Sequence, residues 1–69
     1  MTEFVKIHYR VRPGLWVYEI YLARYEGSPV GENRFTGSEI FLRSFNQEDA
    51  ARRFMENLVI VGGYEIVEV

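Results

Sequence analysis

The chain has no cysteine, one histidine, one lysine and two prolines among its 69 residues. Without cysteine there is no disulfide staple and no thiolate for zinc, so a chain that buries only about 60% of its unfolded surface must be held by packing alone. With a single imidazole and no nucleophile elbow, serine-type nucleophilic catalysis has little to work with. No Cys/His spacing offers a metal site. The glycines at 27 and 31 lack the strand-to-helix setting and the Gly-Lys-Ser/Thr ending of a phosphate cradle. No apolar run approaches the ~20 residues of a membrane span, and Met1-Thr2-Glu3-Phe4 has neither the basic start nor the apolar stretch of a signal peptide. These absences lead us to expect no enzyme, no cofactor, no metal and no membrane segment, in a cytoplasmic protein.

What is present is apolar and aromatic: 48% hydrophobic residues, with five Phe, five Tyr and one Trp. That suffices for one core, so residues 1–69 are read as a single domain. The formal net charge is −2, the reverse of a dedicated nucleic-acid binder.

From Phe4 to Val11 apolar and polar residues alternate, Val5, Ile7, Tyr9 and Val11 on one face, which is the period of a half-buried strand. Pro13-Gly14 fits a tight turn. A second aromatic strand over 15–25 then places Trp16, Tyr18, Ile20 and Leu22 on the same face. A two-residue turn pairs Tyr9 with Tyr18, Ile7 with Ile20 and Val11 with Trp16. Residues 26–37, with Gly27, Pro29, Gly31 and Gly37, read as a long turn-rich connection, and 38–43 as a third strand.

Asn46, followed by Glu48 and Asp49, has the chemistry of a helix start. Ala50, Ala51, Phe54, Met55 and Leu58 then recur at helical spacing. On the outer side Glu48–Arg52, Asp49–Arg53 and Arg52–Glu56 fall at i,i+4. Residues 59–61 fit either the end of this helix or a strand paired through Gly62-Gly63. A helix ending near 58–60 and a last strand at 64–69 is the simpler pattern. The expected fold is α+β, in the order β-β-β-α-β, a mostly antiparallel sheet with one helix on one face.

The candidate site lies on the other face of the first hairpin. It presents Lys6, His8, Arg10 and Arg12 in a row beside Val17, Glu19, Tyr21 and Tyr25, with His8 exposed and read as pairing with Glu19, and Lys6 lying over Tyr21. Arg and Tyr combine apolar area with hydrogen bonding, which suits protein contacts as well as phosphate and base contacts. Cross-strand pairing on a solvated face accounts for the same row. Arg34 and Phe35, at the tip of the long connection, offer an aromatic flanked by charges.

Two resemblances bear on this row. Gly14-Leu15-Trp16-Val17-Tyr18-Glu19-Ile20-Tyr21, with Arg43-Ser44-Phe45 leading into Glu48-Asp49-Ala50-Ala51-Arg52-Arg53-Phe54, resembles the arm-type DNA-binding domain of phage integrases. That likeness implies groove contacts by Lys6, Arg10 and Arg12, although this chain is acidic where such domains are basic. The aromatic strand, the Glu26-Gly27-Ser28 turn and the Arg43-Ser44-Phe45-Asn46 step into an acidic-started helix are similar to small phage-encoded anti-CRISPR proteins, over roughly residues 17–58. That likeness implies a non-enzymatic inhibitor that binds a host nucleic-acid-processing complex. The expected partner is therefore a protein, with DNA binding and a small homodimer as the alternatives.

Overall fold

The computed structural model describes residues 2–28 and 30–69. Its elements are β1 (Thr2–Arg12), β2 (Val17–Gly27), β3 (Asn33–Phe45), α1 (Glu48–Gly62) and β4 (Ile66–Glu68), the β-β-β-α-β order predicted. The strands lie in the order β3-β2-β1-β4, with β1–β2 and β2–β3 antiparallel and β4 parallel to β1. β3 thus runs parallel to β4, and joining two parallel strands across a sheet requires the crossover that α1 supplies.

The helix-side core joins Ile7, Tyr9 and Ile20 of the sheet to Ala51 and Met55 of α1, all buried. Phe45 and Phe54 close its edge with rings 5.6 Å apart. No described helix is long and apolar enough to cross a membrane.

The first hairpin departs from the predicted register. Leu15 donates its N–H to the Arg12 carbonyl at 3.3 Å and Gly14 has φ 86°, so the Pro13-Gly14 turn forms. The chain then spends Leu15 and Trp16 before pairing resumes at Arg12–Val17. Tyr9 therefore faces Ile20, and Ile7 faces Leu22. A slip of two residues preserves which side chains share a face, so the core set survives. Trp16 does not: it leaves the core face, sits at the turn with φ 53°, and is 70% exposed.

The connection expected over 26–37 shrinks to residues 28–32, because β3 begins at Asn33. Pro29 lies outside the described residues. The sheet accommodates the extra residues as bulges, where the β2–β3 register shifts between Ala23 and Tyr25 and again between Ile20 and Tyr21. Gly37, with φ 86°, falls inside the first of these shifts. Its turn chemistry serves a strand, not a loop.

At the helix start Gln47, not Asn46, is the cap residue, with no side-chain hydrogen bond, while Glu48 and Asp49 occupy the first turn. Residues 59–61 are helical. The helix runs past the predicted end to Gly62, and Gly63, left-handed at φ 70°, returns its N–H to the Val59 carbonyl at 2.9 Å. The last strand is correspondingly shorter than 64–69.

Candidate interaction face

Paired residues share a side of the sheet, so the ladders define the face opposite the helix. Phe4, Tyr25 and Phe35 form one row; Lys6, Ala23 and Glu39 the next; His8, Tyr21 and Phe41 the third; Arg10, Glu19 and Ser44 the fourth. This open face gathers every candidate site residue of β1 and β2, with the Arg12–Val17 pair at its end. It also brings in Glu39 and Phe41, which the sequence reading did not include.

His8 is the main correction. Expected on the surface, it is 2% exposed. Its Nε2 lies 2.5 Å from the Tyr25 hydroxyl, and its ring meets Tyr25 edge-on at 5.5 Å and Phe35 at 5.0 Å. Nδ1 lies 3.4 Å from a Glu39 oxygen without hydrogen-bond geometry. The tautomer that suits both neighbours carries its proton on Nδ1 and accepts from Tyr25 at Nε2, an assignment made from the network. The predicted partner Glu19 is engaged elsewhere, because the two-residue slip set His8 opposite Tyr21.

The cations of the row are each matched. Arg10 holds Glu39 with two bonds, 2.6 and 2.9 Å, and lies 4.8 Å over the Tyr21 ring. Such forked pairing is the strong form of the interaction. The hydrogen bond to Glu39 raises the Arg10 pKa further above its ordinary value. Arg12 donates to Glu19 at 3.1 Å, which raises its pKa, and the Tyr21 hydroxyl donates to the same oxygen at 3.2 Å. Lys6 pairs with Glu65 at 3.3 Å and lies over Tyr25 and Phe4, not over Tyr21 as predicted. Three cations against three carboxylates leave the row without net charge.

Arg34 and Phe35 stand in β3, not on a loop tip. Arg34 donates to Glu26 at 2.5 Å, while Phe35 leans on His8 and Tyr25 and stays 38% exposed. Tyr25, expected at the surface, is buried beneath it. On the helix Arg52 pairs with Glu48 at 3.7 Å, as predicted, and more closely with Glu68 at 3.1 Å. The bond to Glu68 raises its pKa. The Asp49–Arg53 and Arg52–Glu56 pairs do not form among the described residues.

Among the apolar side chains of the face, Phe41 is 53% exposed and Phe35, two rows away, 38%, while Ile40, next to Phe41 on the helix side, is 61% exposed. The Ile40-Phe41-Leu42 run was the available signal: consecutive apolar residues in a strand cannot all face one core. Two shallow clefts, of about 200 and 230 Å³, lie away from this patch along the first half of β1, meeting at Phe4 and Val5.

Compared with protein-family models, with curated proteins and with solved structures, the chain finds no match.

Proposed function

We propose that the protein is a non-enzymatic binding module whose open sheet face docks on another protein, with Phe41 and Phe35 as anchors. The observation that carries this reading is the division of that face: its cations are held in pairs, and its exposed large apolar side chains, Phe41 and Phe35, are aromatic. Aromatic anchors ringed by satisfied polar groups are the usual make-up of a protein hot spot. A phosphate-reading surface would instead leave arginines free for the backbone. The hydroxyl–imidazole pair of Tyr25 and His8 is buried and lines neither cleft, which weighs against a catalytic use. The narrower reading, an inhibitor of a host nucleic-acid-processing complex, makes such complexes the first partners to try.

The test is binding of labelled duplex and single-stranded DNA at about 50 and about 200 mM salt, run beside capture of partners on immobilised protein. No saturable DNA binding is expected, and Phe41→Ala is expected to weaken a captured partner at least ~10-fold, about 1.4 kcal/mol, with the fold intact. DNA binding that collapses with salt, and that Arg10→Ala weakens more than Phe41→Ala, would overturn the reading in favour of the groove-binding alternative.

A further inference from the structure

The outer margin of β3 is a long strand edge, 13 residues, with no neighbour on that side among the described residues, whereas the opposite margin carries β4. Unpaired N–H and C=O groups along an edge are a template for another strand, and natural edges are often blunted with lysine, proline or bulges. β3 contains neither lysine nor proline. Its two bulges isolate a regular segment, Glu39-Ile40-Phe41, paired with Ala23, Leu22 and Tyr21 and centred on Ile40. At that centre apolar side chains stand exposed on both sides of the sheet, Ile40 toward the helix side and Phe41 toward the open face. A partner lying on one face covers only one of them. A strand continuing the sheet covers both.

We infer that the protein self-associates through this edge: two copies pair their β3 strands antiparallel about a two-fold axis at Ile40, making one sheet of eight strands. This goes beyond the docking reading above, because it uses the edge; the joint covers Phe41 and Phe35, so a second copy and a docked partner compete for those two side chains. A second copy fits for three reasons. The axis sets Ile40 against its own counterpart on the helix side and Phe41 beside the second copy's Glu39 on the open face, so each side chain meets one that suits it. Glu39 arrives already held by Arg10, so no unpaired carboxylate enters the joint. Arg43 lies three positions from the axis, which at ~3.4 Å per residue keeps the two copies of it about 20 Å apart, beyond the ~10 Å screening length.

The area is modest. Taking ~200 Å² for each of Phe35, Ile40 and Phe41, their exposures leave roughly 300 Å² of apolar surface per copy. Main chain and flanking polar atoms bring the pair toward the low end of specific interfaces, ~1,200 Å². The association is therefore weak and visible only at raised concentration.

The test is molar mass by light scattering or sedimentation from roughly 1 μM to 1 mM. The mass is expected to climb from the 8.1 kDa of one chain toward twice that value, and Ile40→Lys is expected to hold it at one chain throughout. Because the chain has no cysteine, Ile40→Cys gives a second readout independent of that variant's folding. Opposed residues in an antiparallel pair have Cα atoms about 4.5–5.5 Å apart, within disulfide reach, so this variant should cross-link under mild oxidation far faster than Ile60→Cys on the exposed helix surface. A wild-type mass of one chain up to 1 mM, a dimer that survives Ile40→Lys, or equal cross-linking at 40 and 60 would each overturn the proposal. None of these results would touch the capture of other partners by the open face, so the two readings fail separately.

Discussion

At the scale of single residues, the fold sets chemical properties that composition leaves open. Tyr9 is buried at the core and its hydroxyl donates to Glu48 at 3.2 Å. Burial first, and then the Glu48 carboxylate, push its pKa above the ordinary 10.0. The unfolded chain therefore releases this proton at a lower pH than the folded one, so the folded state binds more protons in that window. Stability is then present below about pH 10 and declines as pH rises through the folded value. Thermal unfolding between about pH 8 and about pH 11 should show a shallower alkaline decline in Tyr9→Phe than in the wild type. Unchanged steepness would overturn the assignment of this decline to Tyr9. Gly27 has a different role: its φ is 140°, and a Cβ there would approach the Glu32 carbonyl oxygen to 2.6 Å and Asn33 Cα to 2.9 Å. Both obstacles are backbone, so Gly27→Ala should cost ~2 kcal/mol or more by denaturant unfolding.

At the scale of elements, legibility followed the strength of local signals. Alternation over 4–11 and helical spacing over 50–58 are periodic, and both elements formed where those patterns lie. The boundaries were set by less local terms. The two-residue slip of the first hairpin and the bulges of β3 depend on which partners each strand finds, and neither leaves a mark on one strand read alone. The helix start shows the same limit: Asn46 has the right side chain, yet Gln47 occupies the cap position without a side-chain bond. That vacancy makes Gln47→Ser a stabilising change of ~1 kcal/mol, a rise of roughly 4–8 °C in Tm, because a hydroxyl there reaches the free amides of the first turn. A fall in Tm would show that the Gln47 amide makes contacts worth more than a cap.

At the scale of the whole molecule, one helix on a four-stranded sheet gives a body only 17 Å thick along its shortest axis. A helix covers one face, so the other has to be stabilised by its own side chains. The open face does this with a second, smaller core, in which His8, Tyr25 and Phe35 pack together beneath the Arg10–Glu39 clamp. The row Lys6, His8, Arg10, Arg12 was legible as sharing a face, because alternation alone places it there. The burial of His8 and the pairing of Arg10 were not, since they depend on Phe35 and Glu39 arriving from a third strand that bends at its bulges, and the pairing of Lys6 depends on Glu65 from beyond the helix. Pairing of two copies through β3 would set two such faces side by side.

By itself the sequence determined the class of fold, the order of elements and the side that the residues of β1 and β2 face, because periodicity and turn chemistry act over a few residues. Only the tertiary structure decided the register, the burial of His8, the exposure of Trp16, Ile40 and Phe41, and the neutrality of the cationic row. Those properties depend on contacts between β1, β2 and β3, set by residues such as His8 and Glu39 that lie 31 positions apart in the chain, and local pattern carries no record of them.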